Sequence, residues 1–239
     1  MNPKAINRLS VPAKPNPIST AEAPRCIVIS GVASGAGKTS LATAMIALLH
    51  KRGLTAGVKI TVTHGDRGCP HGGKGCNVCS SLGGDFQIVS RPDIIEQAGT
   101  DTARFVEAGA KPVLWGITRD TNILEMWERI SLTLAAVRYV VVESNTLALT
   151  IMPSLTLMIV DPTVSRRLWK PSATTLIASA DLVVFNERGT SAQREAVLNE
   201  VRGIETRRAI LAVAHPSLIA THPVVLSSVD RVVSSSALK

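Results

Sequence analysis

With 239 residues, 45% of them hydrophobic and 18% charged, the chain is long enough to bury one substantial core and too apolar to stay disordered. Its 26 Lys and Arg against 18 Asp and Glu leave a formal charge of +8, which favours anionic ligands without choosing among nucleotide, nucleic acid and acidic lipid. Aromatic residues are only 3%, too few for the stacking platforms that hold single-stranded nucleic acid, so nucleic acid is not an expected partner.

Residues 1–24 hold Pro3, Pro12, Pro15, Pro17 and Pro24 with Lys4, Arg8 and Lys14 and no apolar periodicity, and read as a disordered basic tail. The tail lacks the apolar core of roughly 7–15 residues that a signal peptide carries. The longest apolar run, 147–160, is broken by Pro153 and falls short of the ~20 residues of a spanning helix. A cytoplasmic protein without a membrane span is expected.

The remainder, 25–239, reads as one domain. Residues 26–29 are a β-rich run ending at Ser30 and Gly31, and Leu41, Ala44, Met45, Leu48 and Leu49 then recur at helical spacing up to Gly53, giving strand, glycine loop and helix. A second strand is predicted at 56–60. Residues 63–84 are dense in Gly, Cys and His without periodicity and read as an inserted loop. Thr100 and Asp101 can cap a short helix running to Ala108, and 113–117 reads as a strand. Ile123, Trp127, Ile130, Leu134 and Val137 form one helical face, and strands follow at 139–142, 156–160, 182–185 and 210–213. Alternating strands and helices imply an α/β fold of three layers around a mostly parallel central sheet. Trp115 and Trp127 are expected in the core, His50 near a helix end, and His215 and His222, each before a proline, in loops. Arg166, Arg167 and Lys170 read as a solvated basic face.

The segment Gly31-Val32-Ala33-Ser34-Gly35-Ala36-Gly37-Lys38-Thr39 carries the chemistry. Glycines let successive backbone N–H groups turn around phosphate oxygens, and the helix that follows points its positive end at them. Lys38 can reach the terminal phosphates and Thr39 can offer a hydroxyl to Mg²⁺. Gly35, Ala36, Gly37, Lys38, Thr39 and Ser40 are therefore the candidate nucleotide-binding set, for GTP or ATP, in a P-loop NTPase fold. The usual spacing would place the first glycine at 32, where this chain has Val32, so the loop is written G-x-x-x-G-x-G-K-T. Glu143, ending the apolar run 140–142, is the candidate carboxylate for Mg²⁺ or its water.

The loop spacing resembles that of dethiobiotin synthetase and of the wider P-loop group that includes metal-insertion GTPases and nitrogenase-iron-protein-like ATPases. The last of these carry an extra lysine where this chain has Ala33. From Lys59 to Asp120 the order of features is similar to molybdopterin-guanine dinucleotide biosynthesis protein B: Lys59, His64, the stretch Gly99-Thr100-Asp101-Thr102-Ala103-Arg104, then Ala108-Gly109-Ala110 and Val113. This resemblance spans about 25–190 and implies a GTP- or ATP-binding accessory factor in the assembly of a metal-containing cofactor, such as molybdenum cofactor. It implies Lys38, Glu143 and Asp101 as catalytic, with Asp101 orienting water or the acceptor. Asn186 stands where many relatives use Asn-Lys-x-Asp to read guanine, but here the stretch is Asn186-Glu187-Arg188-Gly189, so a base contact is expected and guanine selectivity is not.

Cys69, His71, Cys76 and Cys79 spell C-x-H-x4-C-x2-C, three thiolates and an imidazole that complete a tetrahedral Zn²⁺ site. Gly68-Cys69-Pro70-His71 also looks like the segment with which urease accessory GTPases hold Ni²⁺, and an iron–sulfur cluster with Cys26 as fourth ligand is a third option. The expected activity is Mg²⁺-dependent triphosphate binding with hydrolysis or phosphoryl transfer. A nucleotide-switched metallochaperone and an ATP-dependent small-molecule kinase or ligase stand as alternatives. Expected partners are the nucleotide, a cofactor-assembly protein and a second copy of the chain.

Overall fold

The computed structural model describes residues 23–63, 84–204 and 209–234. Eight strands form one sheet: β1 (Arg25–Gly31), β2 (Thr55–Thr63), β3 (Phe86–Val89), β4 (Val113–Arg119), β5 (Tyr139–Glu143), β6 (Leu155–Val160), β7 (Leu182–Asn186) and β8 (Ala209–Val213). Their order is β3-β4-β2-β5-β1-β6-β7-β8. Every neighbouring pair is parallel except β3 with β4. The α/β class and the mostly parallel sheet expected from the alternating pattern are therefore observed.

Strand alternation divides the core between two faces. In β5, Tyr139 and Val141 pack on one face while Val140 and Val142 pack on the other, as a period of two requires. Helix α1 (Lys38–His50) lies on the Tyr139 face with Leu41, Met45 and Leu49 fully buried. Two short helices, α2 (Pro92–Ile95) and α3 (Asp101–Glu107), share that face through Ile95 and Phe105. Helices α4 (Ile123–Thr133) and α5 (Asn145–Thr150) follow their strands in chain order, and α4 with Leu147 covers the Val140 face. Helices α6 (Ala173–Ser179), α7 (Ser191–Gly203) and α8 (Pro223–Ser234) bury Leu176, Val201 and Val229 in the larger core cluster, which at β6 and β7 takes in residues of both strand faces. Burying both faces explains why the central strands are apolar at nearly every position.

Several sequence expectations shift. Strand β2 runs on to Thr63, so the boundary set at 63 falls inside a strand and only 64–83 separate it from the described chain that resumes at Gly84. Edge strand β3 was unforeseen, because four residues beside a glycine-rich stretch show no resolvable alternation. On α4 the buried residues are Ile123, Met126 and Ile130, and Trp127 is only half-buried. Trp115 is likewise half-buried, its indole N–H donating to Thr61 Oγ1 at 3.0 Å. The expected tail at 1–24 falls largely outside the described residues, as do His64, Cys69, His71, Cys76 and Cys79. No described helix is long and apolar enough to cross a membrane.

Candidate functional site

Strand β1 delivers the chain into the glycine loop, and α1 starts at Lys38 with Gly37 as its N-cap. Gly37 has a φ of 100°, the left-handed region that a side chain disfavours. The shifted first glycine has a steric cause. A Cβ on Gly31 would lie 2.7 Å from Lys38 Cγ and 2.9 Å from Ile159 Cγ2, so the Lys38 stem runs across this α-carbon. Val32, at the position where a glycine was expected, is fully buried in the core.

Lys38 curls over the loop and its Nζ donates to the Ala33 carbonyl at 2.6 Å. Burial of that ammonium lowers its pKa to about 8; Glu143 opposes the shift, and Lys170 and Lys59 add to it. Asn145, the first residue of α5, fastens the loop from below. Its Oδ1 accepts from the Gly31 N–H at 3.1 Å, and its Nδ2 donates to the Gly31 carbonyl at 2.9 Å and to Ser172 Oγ at 3.3 Å.

A chain of charges meets where β5 ends, beside the middle of β2 and the loop that follows β1. Residues 55, 57 and 59 of β2 alternate with Ala56, Val58 and Ile60, which belong to the opposite core face, so Lys59 points toward α1. Glu143 does the same at the end of β5, and the two are register partners. Glu143, only 2% exposed, accepts from Lys59 Nζ at 2.5 Å and from Thr39 Oγ1 at 2.9 Å. Lys59 Nζ also lies 2.7 Å from Asp101 Oδ2, where α3 begins behind its Thr100 cap, whose hydroxyl accepts from the Ala103 N–H. Burial alone would lower the Lys59 pKa, but the two carboxylates together hold it above its ordinary value. Burial would raise the Asp101 pKa, and the bond to Lys59 pulls it below the usual range. Ser40 accepts from Arg104 Nη2 at 3.1 Å.

The structure thus brings Lys38, Thr39, Glu143 and Asp101 together. A carboxylate and a hydroxyl oxygen facing each other at 2.9 Å are a donor set suited to a hard divalent cation. Asn186 ends β7 in a separate cluster. Its Nδ2 donates to Asp161 Oδ2 at 3.3 Å, which Arg188 also approaches at 3.1 Å, while Asp161 Oδ1 accepts from the Thr163 N–H and hydroxyl. Asn186 Oδ1 is buried without a hydrogen-bond partner among the described residues. Cys26 sits in β1 with its thiol pushed up to about 12 by burial, which disfavours the thiolate that an iron–sulfur ligand requires. Among the described residues no group of three or more His, Cys, Asp or Glu could hold a metal ion.

Sequence reasoning did not assign roles to Asn145, Asp161 or Lys170. Asn145 carried a signal, since it opens the segment after the Glu143 strand, but an amide bridging back to Gly31 needs strands 114 residues apart to be neighbours. Lys170 is exposed, as its reading in a solvated basic face expects, and its backbone N–H is bonded to the Val32 carbonyl at 2.7 Å. Its pKa is lowered by burial and by Lys59, against an opposing pull from Glu143.

No family model matches the chain, and no curated protein matches its sequence. Among solved structures it is similar to Zn(II)-bound YjiA GTPase from E. coli at 13% identity and a TM-score of 0.42, covering 80% of this chain and 58% of that one. It is similar to FlhF complexed with GMPPNP and Mg²⁺ at 15% identity and 0.45, covering 84% and 68%. A ParA family ATPase from Chlorobium tepidum TLS follows at 12% and 0.41, covering 88% and 98%. The chain therefore spans a little over half the length of the YjiA GTPase it resembles. At these scores what each of those proteins binds remains a statement about that protein, and the loop and charge geometry of this chain stand on their own.

Proposed function

We propose that this chain binds a Mg²⁺–nucleoside triphosphate at residues 31–40 and hydrolyses it or transfers its terminal phosphoryl group. The observation that carries the reading is the convergence of Lys38, Thr39, Glu143, Lys59 and Asp101 at one end of a parallel sheet, beside a glycine loop that opens a helix. Backbone N–H groups of Gly35 to Ser40 would hold phosphate oxygens, with Lys38 giving up the Ala33 carbonyl to neutralise the outer phosphates. Thr39 and Glu143 would hold Mg²⁺, which supplies charge neutralisation. Asp101, kept ionised by Lys59, is the group that would orient the attacking water or acceptor. Catalysis of this kind consists of positioning and charge stabilisation. Asn186, with an unpartnered buried acceptor, is the candidate base contact, and GTP and ATP are the two nucleotides to compare.

The resemblance to a molybdenum-cofactor accessory protein, joined to the Cys69, His71, Cys76 and Cys79 pattern, supports a role in assembling a metal-containing cofactor, with Zn²⁺ at that cluster. One observation keeps the metallochaperone alternative in view. The cluster begins at Cys69, six residues after β2 ends at Thr63 and ten after Lys59, so one strand would lead from the nucleotide site to the metal site. A kinase or ligase acting on a small molecule rests on the glycine spacing alone.

The direct test is Lys38→Ala, with GTP and ATP affinities measured by calorimetry in the presence of Mg²⁺. Loss of triphosphate binding by about a hundredfold or more is expected, since a charge-assisted contact to the outer phosphates disappears. Undiminished affinity for both nucleotides would reject the assignment.

A further inference from the structure

The loop after β6 passes directly beside the glycine loop and is held there at two points. Lys170 donates its backbone N–H to the Val32 carbonyl at 2.7 Å. Two residues on, Ser172 accepts from Asn145, the same amide that bonds both backbone groups of Gly31. Before it, Trp169 is 7% exposed and anchors the segment in the core. After it, Pro171 limits the backbone, and the Ala173 N–H bonds the Lys170 carbonyl at 2.9 Å as α6 begins. The Lys170 backbone is thereby fixed against the phosphate loop, whereas its side chain is exposed.

Charge makes this placement informative. Lys59 is neutralised by Glu143 and Asp101, but among the described residues neither Lys38 nor Lys170 has a carboxylate partner. A surface lysine normally spreads away from other cations. Here Lys59 and Lys170 both bear on Lys38, and Lys59 bears on Lys170, while the loop from Gly31 to Gly37 itself carries no cation. Glu143 offsets part of this repulsion for both lysines, and a polyanion bound between them would offset the rest.

We propose that Lys170 is a ligand of the terminal phosphate group, supplied from the loop after β6, and that it distinguishes triphosphate from diphosphate. This rests on the reading of residues 31–40 as a triphosphate site. Lys38 belongs to the helix that follows the glycine loop and Lys170 to the segment whose backbone bonds Val32, and the terminal phosphoryl group would lie between their two ammoniums.

The test compares wild type, Lys170→Ala and Lys170→Arg by calorimetry with Mg²⁺, using the β,γ-imido analogues of GTP and ATP alongside GDP and ADP. Melting curves establish that each variant is folded. Lys170→Ala is expected to weaken the triphosphate analogue about tenfold or more and the diphosphate no more than about twofold, and Lys170→Arg to restore most of the difference. An unchanged triphosphate-to-diphosphate ratio in folded Lys170→Ala would overturn the proposal, as would equal loss of both ligands. If wild type binds no analogue and Lys38→Ala changes nothing, the reading of the loop falls and this inference with it. If wild type binds and Lys38→Ala abolishes binding while Lys170→Ala leaves the ratio intact, this inference alone falls.

Discussion

Lys38 is the residue at which the proposed nucleotide binding would couple to pH. Its pKa in the nucleotide-free fold is lowered from 10.5 to about 8, so folding disfavours its protonated form. That penalty is present below pH 8 and is relieved as the pH rises through 8 toward 10.5, over which interval this group makes the nucleotide-free protein more stable. The proposed triphosphate binding would need the ammonium and would have the opposite slope. Affinity is expected to be flat up to about pH 8 and then to fall toward ~tenfold per pH unit, with uptake of a proton on binding. Calorimetry at pH 8.5–9.5 in buffers of different ionisation enthalpy measures that uptake, and its absence would show that Lys38 stays charged. Lys38 and Thr39 were legible because consecutive residues after glycines need no tertiary information. Lys59 as partner of both Glu143 and Asp101 was not, since its two carboxylates arrive from a neighbouring strand and a later helix.

Among the elements, α5 couples the acid strand to the phosphate loop. Its first residue, Asn145, satisfies both backbone groups of Gly31 in an environment where the amide is only 8% exposed. Asn145→Ala leaves a buried N–H and a buried carbonyl without partners, at about 1–3 kcal/mol for each such group. A matching loss in denaturant-derived stability is expected, together with weaker triphosphate binding, because the loop loses its lower support. Full affinity in a destabilised variant would show that the amide serves the fold alone. Helix α1 illustrates why local patterning reaches only so far. Its periodic face was readable, yet Ala42 and Ile46 on its flanks are fully buried too, and the 3₁₀ segment Pro216–Thr221, which also touches β7 and β8, packs against the helix. A covering segment some 170 residues away leaves no mark on the helix's own sequence.

At the scale of the molecule, the sheet sets the geometry of the site. Parallel order places β2, β5 and β1 side by side, so the chain leaves each of them at the same end, where the site lies and where residues 64–83 begin. The Cys69, His71, Cys76 and Cys79 cluster has few apolar neighbours in sequence, Val78 and Leu82 among them, so metal–ligand bonds would have to order it. Replacing Cys76 and Cys79 by Ser is expected to abolish zinc content while leaving nucleotide affinity within about threefold, because the glycine loop is anchored by its own strand, helix and Asn145. Zinc analysis and calorimetry on the same protein decide this. A large loss of nucleotide affinity with an intact sheet would instead favour the metal-switch alternative, in which the two sites are energetically coupled and the coupling is reciprocal.

The sequence by itself determined the class of fold, the strand–loop–helix at 25–50, the carboxylate ending β5 and the cap of α3 at Thr100. These depend on periodicity and on contacts between residues close in the chain, which local chemistry dictates. Tertiary structure alone decided that Glu143 faces Lys59 and Thr39, that Asn145 ties down Gly31, that Gly31 must be bare because the Lys38 stem crosses it, and that Lys170 stands against the loop. Each of these depends on which strands are neighbours and in what register, and the pairing of parallel strands is set by the packing of the whole sheet between its two helical layers.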